Sequence, residues 1–396
     1  MRGQRVLFLV LGHAVFVQMI TYGMRPTLSY AVLDAGGAAA LLGIVAASFA
    51  FPALLLALPF GYWVDRVGER SALVLGAALL IVAALVAAFA GGSIWLIIFA
   101  TVLLGLGQVL SAIGEQAMIA NTRGTGNSDS RFGFYAFAIS LGQTVGPLLL
   151  TLPGGTVATP PLMLIFLCCA GLGVPTLLLS ALLRSSPRLP TSSPVGMLTT
   201  AKTLIRTPGV VRALLAGSIV MASMDLFLAY VPALGHDRGL SAAVVGAMLA
   251  VRSMFSMISR LFLGVMIHWI GRRPVLVWTV AISAVALGCI ALPLPAGWLI
   301  ALAAVYGFAI GTCQPITMAW VSELSPSQSR GLAMSLRLAA NRMGQTVLPA
   351  TLGAFAAATG AAGVLVAVAA VLVMAAWSGA AVPNSSAYDE PPVETA

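Results

Sequence analysis

Apolar residues in this chain follow neither the two-residue period of a half-buried strand nor the narrow stripe of a soluble helix. They run in blocks of about 20–25 residues, long enough to cross a ~30 Å hydrocarbon layer at about 1.5 Å per helical residue. Twelve blocks are placed, at roughly 6–30, 40–62, 72–91, 94–120, 132–152, 160–183, 211–234, 240–267, 274–292, 297–321, 331–354 and 360–382. Inside hydrocarbon an open strand leaves backbone groups unsatisfied, so blocks of this length predict helices. The expectation is an all-α membrane protein with twelve transmembrane helices. The first block, running from Arg5 to about Tyr30, is too long for a signal-peptide core and lacks a small-residue cleavage site, so it reads as the first span.

The polar gaps give orientation. Arg2, Arg5, Arg66, Arg70, Arg123, Arg131, Arg184, Arg188, Lys202, Arg206, Arg212, Arg272, Arg273 and Arg330 fall on one side, and Arg238 alone on the other. The basic side is expected to be cytoplasmic, with both termini there and the chain multi-pass in the cytoplasmic (inner) membrane. The longest gap, 184–210, is basic and rich in Pro, Ser and Thr. It predicts a cytoplasmic linker, with 198–205 as a short surface helix, between a six-helix bundle over 1–183 and another over 211–382. Residues 383–396 read as a disordered cytoplasmic tail.

Composition narrows the function class. The chain is 60% hydrophobic and only 8% charged, against about 25% charged in a soluble domain, so lipid must cover most of the exterior. The net charge of +9 resides in residues scattered between spans, without interleaved aromatics, and this excludes a nucleic-acid patch. Cys168, Cys169, Cys289 and Cys313 lie in apolar runs with no CxxC or His partner, so neither metal nor cofactor is expected. No GxxxxGK loop is present, which argues against ATP-driven transport by this chain.

The halves repeat at an offset near 203. Gly61-Tyr-Trp-Val-Asp65-Arg66-Val-Gly68-Glu69-Arg70 aligns with Gly264-Val-Met-Ile-His268-Trp-Ile-Gly271-Arg272-Arg273. Ser140-Leu-Gly142-Gln143-Thr144-Val145-Gly146-Pro147 aligns with Arg342-Met-Gly344-Gln345-Thr346-Val347-Leu348-Pro349, and Gly43 with Gly246. A duplicated six-span unit is a transporter architecture, its halves rocking about a site between them. In the loop segment, Gly61 and Gly68 suit a tight turn and close helix approach, and Asp65 suits a helix N-cap.

The segment Gly61–Arg70 resembles the signature between spans 2 and 3 of the major facilitator superfamily, Gly-x-x-x-Asp-Arg-x-Gly-x-Arg, matched at Gly61, Asp65, Arg66, Gly68 and Arg70. The second copy keeps Gly264, Gly271 and Arg273 but has His268 in the Asp place. The resemblance implies two pseudo-symmetric bundles, alternating access, a cytoplasmic latch at Asp65, and a cavity lined by spans 1, 4, 7 and 10. Gly142-x-x-x-Gly146-Pro147 resembles a fifth-span motif of antiporters, which implies export, although Leu148-Leu149-Leu150 replace the further glycines. Proton antiporters of the family carry an Arg shortly before a Gly-x-Gly in span 4; Thr101 stands there before Gly105-Leu106-Gly107, so that relay does not carry over.

Seven ionisable residues remain inside spans: Arg25, Glu115, Asp225, Arg252, Arg260, Arg337 and Arg342. Each costs about 2.5–3.5 kcal/mol at a helix centre on insertion scales, so they are functional candidates by default. Asp225 and Glu115 are the proton-coupling candidates. Arg25, Arg252, Arg342, Tyr22, Tyr30, Tyr230 and Gln314 are candidates for binding substrate. Gly61, Asp65, Arg66, Gly68, Arg70, Gly264, Gly271, Arg273, Arg337, Gly142, Gly146 and Pro147 are candidates for gating. In the structural alternative, Asp225 pairs with Arg252 or Arg342, Glu115 pairs with Arg337, and Arg260 snorkels to the interface. His13 ranks low as a proton site. The surplus of Arg over acids favours an anionic group, because the guanidinium fork matches a carboxylate.

The expected function is therefore secondary active transport of a small organic solute by alternating access. It is expected to be coupled to protons, with a leaning to export of an amphiphilic or anionic compound. Uptake symport of an organic anion is the alternative. A membrane enzyme or a non-transporting receptor is disfavoured, since His13, His236 and His268 are scattered. The expected partners are substrate, protons and lipid, and a monomer is expected.

Overall fold

The computed structural model describes residues 2–121, 128–152, 158–183, 206, 209–323 and 330–380, and the structural statements below concern these. The surface helix expected over 198–205 and the tail from 383 lie outside them. The helices are α1 (Arg2–Asp34), α2 (Ala39–Val67), α3 (Glu69–Ala88), α4 (Ile94–Asn121), α5 (Ser128–Val145), α6 (Leu162–Leu182), α7 (Val210–Asp237), α8 (Ala242–Ile270), α9 (Arg272–Ile290), α10 (Ala296–Glu323) and α11 (Arg330–Ala380). Eleven helices are long and apolar enough to cross a membrane. The apolar stretch Leu336–Trp377 of α11 has 42 residues, roughly 63 Å of helix and twice a bilayer. Gly360, at φ 65° and ψ −171°, breaks it into two limbs, α11a (330–359) and α11b (361–380). The chain therefore makes about twelve crossings, as the apolar blocks predict. The last connection is one glycine rather than the short loop expected over 355–359.

Local chemistry explains other boundaries. α5 stops at Val145 and tightens into a 3₁₀ turn over Gly146–Thr151, where the sequence pattern predicts an unbroken helix to 152. Pro147 removes a backbone donor and its ring crowds the preceding turn. Gly68 (φ 103°, ψ 154°) is the only residue between α2 and α3, and Gly271 (φ 84°, ψ 157°) plays the same part between α8 and α9. The repeat is thus visible as a matched pair of one-residue turns. Asp65 lies inside the last turn of α2 rather than at an N-cap, because Gly68 occupies the cap of α3.

Helices α1–α6 pack on one another, as do α7–α11. Between the two groups α1 meets α7, α2 meets α11a, and α5 with its 3₁₀ turn meets α8. Without a hydrophobic force between helices in lipid, close approach depends on small residues. A methyl group added at Gly43 would collide with the Pro349 carbonyl, and one at Gly246 would lie 2.8 Å from the Pro147 carbonyl oxygen. The repeated glycine of one half thus rests on the repeated proline of the other. Within each half, Gly142 abuts the Val15 backbone and Gly344 the Ser218 backbone, while Gly105 abuts Phe49 and Gly307 abuts Arg252. At Gly61, where close helix approach is expected, a Cβ meets nothing within 4 Å among the described residues, and the same holds at Gly264.

Trp95 and Trp298, in the first turns of α4 and α10, are both largely exposed, as residues of an interfacial aromatic belt are. Arg238, the lone basic residue of its side, caps α9. It donates from Nη1 to the carbonyls of Ile290 (3.1 Å) and Leu292 (2.8 Å), and from Nη2 to that of Ala291. A cation there satisfies orphan carbonyls and complements the helix dipole. Arg238→Ala is expected to cost about 1–2 kcal/mol, read as a fall of a few degrees in the melting temperature of detergent-purified protein, with Arg238→Lys recovering part of it.

Candidate functional site

At 100° per residue, Gln18, Tyr22 and Arg25 fall within about 60° of one another on α1, and His13 lies on a different face. The first face meets α7. In α7, 83% of the most apolar stretch is buried, against 33–56% in the other spans, so Asp225 is enclosed by protein rather than lipid. Arg25 donates from Nη1 to Asp225 Oδ1 at 2.7 Å. Its guanidinium also sits 4.3 Å above the centre of the Phe49 ring of α2, a cation–π contact. Both partners are buried, and Asp225 Oδ2 has no hydrogen-bond partner among the described residues. The pairing of Asp225 with Arg252 or Arg342 in the structural alternative is therefore replaced by one with Arg25, because α1 and α7 are neighbours across the two halves. Arg25, Leu28, Ser29, Val45, Ala46, Phe49, Thr101 and Ala229 line a small cavity with room for about one water molecule.

Arg252, Ser256 and Arg260 share one face of α8, at successive turns. Arg252 is 1% exposed, and its Nε and Nη2 have no partner among the described residues. Arg260 does not snorkel away. It reaches Ser140 Oγ of α5 at 3.3 Å and Gln314 Oε1 of α10 at 3.4 Å, with Nε unpartnered. It also lies within Coulombic range of Tyr22 and Arg252. Arg342 of α11a donates to Gln345 at 3.4 Å and lies within range of Asp225, Arg25 and Tyr22. Tyr306 stacks on Phe227 at 4.9 Å and hydrogen-bonds Ser223 at 3.1 Å, close to Arg252 and Asp225. One polar region between the halves thus holds four guanidinium groups and one carboxylate.

Glu115 belongs elsewhere. Its Oε1 is 2.6 Å from His13 Nδ1, and its Oε2 accepts from the Tyr135 hydroxyl at 2.8 Å. All three are buried, among Val10, Ala14, Met118, Ile119 and Ala138. The expected Glu115–Arg337 pairing does not form: α1 and α5 supply the partners instead. Arg337 is buried with Nε and Nη1 unpartnered among the described residues.

A family model decides what this architecture is: that of the Major Facilitator Superfamily matches residues 10–232 and 213–394. The chain belongs to the Major Facilitator Superfamily. No curated protein sequence matches it. Solved structures of superfamily-like shape include a D-xylose-proton symporter, with a TM-score of 0.77 at 17% identity over 96% of this chain and 97% of that one. The nucleoside transporter NupG gives 0.76 at 14% identity, over 94% and 98%. A POT family transporter in complex with 5-aminolevulinic acid gives 0.72 at 15%, over 94% and 95%. At these identities the likeness is one of fold.

The structure places the other candidate positions as follows. Gly142 and Gly146 seat the α5 end on α1, against Val15, Gln18, Met19, Tyr22 and Gly23. Thr101 lines the cavity beside Arg25 and gives its hydroxyl to the Ile97 carbonyl. Arg66 and Arg70 are exposed at the α2–α3 turn; the Asp65 side chain lies outside the described residues. Tyr30 is buried with a hydroxyl that has no partner among the described residues, and Tyr230 donates to the Ala39 carbonyl at 3.1 Å, tying α7 to the start of α2. Sequence reasoning undervalued His13 and Arg260 and missed Tyr135 and Phe49. In-span ionisable character was signal enough for the first two. The others acquire their roles only through helix packing.

Proposed function

We propose that the chain is a proton-coupled secondary transporter of a small organic anion, in which anion and proton are bound together. The observation that supports this is the Arg25–Asp225 bridge between α1 and α7, set among a surplus of guanidinium groups. An incoming carboxylate competes with Asp225 for the Arg25 donors. A buried carboxylate deprived of its cation is stabilised by taking a proton from water, the anion becoming a neutral acid. Arg25 then holds substrate while Asp225 holds the proton. When the proton leaves, the Asp225 carboxylate reclaims Arg25 and expels the substrate. This linkage favours cotransport, the second of the two directions considered from sequence. The bundles 1–183 and 211–382 would rock about the site, with the linker 184–210, the Asp65 turn and both termini on the cytoplasmic side of the inner membrane. The fifth-span motif favours a second reading, export by exchange against protons.

Reconstituted proteoliposomes test the proposal. Radiolabelled carboxylates should accumulate inside vesicles when the outside is acidified, with protons moving in the same direction as the anion. Thermal-shift screens should show stabilisation by carboxylates over organic cations or neutral amphiphiles. Stabilisation by cations alone would discard the anion, and protons moving against the anion would replace cotransport with exchange.

A further inference from the structure

The polar region between the halves holds more positive charge than one carboxylate of a substrate can meet. Arg25, Arg252, Arg260 and Arg342 give +4 and Asp225 gives −1, a balance of +3. The four are not equally engaged. Arg25 has a short ionic bond at 2.7 Å. Arg260 and Arg342 reach only neutral oxygens, at 3.3–3.4 Å, well beyond the ~2.7–2.9 Å of a charge-assisted bond. Arg252 is 1% exposed and leaves two guanidinium nitrogens unpartnered among the described residues. The groups also fall into two pairs. Arg25 is bonded to Asp225, with Arg342 within Coulombic range of both, while Arg252 and Arg260 share one face of α8, and Tyr22 lies within Coulombic range of Arg342 and Arg260.

From this arrangement we infer that the substrate carries two anionic groups on one small skeleton, a dicarboxylate, one group held by Arg25 and Arg342 and the other by Arg252 and Arg260. This rests on the anion reading above and narrows it. A monocarboxylate answers the first pair and leaves the second with only neutral, long or absent partners. A second carboxylate replaces those contacts with charge-assisted ones. A phosphate monoester puts both charges on one group and cannot bridge the pairs.

The test is isothermal titration of purified full-length protein with butyrate, succinate, succinate monomethyl ester, glutarate, adipate and a phosphate monoester of similar size. One dicarboxylate in the series should bind at least ~10-fold more tightly than butyrate or the monoester, with a clear optimum in chain length. Arg252→Gln should erase most of that preference while retaining monocarboxylate binding; Arg260→Gln is the second variant should the first not purify folded. Equal affinity for butyrate and the best dicarboxylate overturns the two-group inference and leaves the anion proposal standing. Tighter binding of the phosphate monoester than of any dicarboxylate overturns the bridging geometry. Failure of every anion in the series to bind removes both readings together.

Discussion

Asp225→Asn is expected to abolish uphill transport driven by a pH gradient while preserving exchange of substrate across the membrane. The amide copies the protonated acid in shape but cannot lose a proton, so Arg25 stays free for the anion and the cycle loses its proton-dependent step. Accumulation in proteoliposomes should fall to the equilibration level, with counterflow kept. The converse change has a different signature. Arg25→Gln leaves Asp225 buried without its cation, and removing one partner of a buried pair costs about 3–5 kcal/mol. The single variant should therefore purify with a clearly lowered melting temperature. The double variant Arg25→Gln/Asp225→Asn should regain stability and remain inactive. Unchanged gradient-driven accumulation in Asp225→Asn would sink the assignment of the proton to this carboxylate.

His13→Ala is expected to produce a large stability loss, because it strands the Glu115 carboxylate in an apolar setting with only the Tyr135 hydroxyl. Leaving a buried group without its hydrogen-bond partner costs about 1–3 kcal/mol, more for a charged one. Replacing both groups with hydrocarbon, His13→Leu/Glu115→Leu, should restore most of that loss, since the surroundings are already aliphatic and a well-packed apolar pair can match a buried ionic one. Thermal melts of the single and double variants give the coupling energy directly. The transport readout separates two roles for the cluster. Retained gradient dependence in the double variant makes it a tie holding α1 to α4 and α5. Lost dependence with retained exchange moves the coupling proton from Asp225 to Glu115.

The spans, the duplication and the superfamily were legible in the sequence because each is a local or periodic signal. A run such as 94–120 announces a helix by its own length, and α4 occupies Ile94–Asn121. Gly43 and Gly246 align by offset alone, and the structure gives the reason: each faces a proline carbonyl of the opposite half. Partners were less legible. Position along a span fixes one coordinate of a side chain, its depth at about 1.5 Å per residue. Which helix faces which is the missing coordinate, and it joins Arg25 to a residue 200 positions away and His13 to one 102 away. Signature glycines divide for a related reason: Gly68 makes the turn between α2 and α3, whereas a Cβ at Gly61 meets nothing within 4 Å among the described residues.

Gly360 bears on how the protein is made as well as how it stands. With a single left-handed residue between α11a and α11b, no polar loop separates the last two crossings. The leading limb has no polar loop on its far side to anchor it in water, so the pair is expected to enter the bilayer together as one helical hairpin. Any other residue at this corner is strained at φ 65°. Insertion of this pair thus hangs on the one amino acid without a side chain.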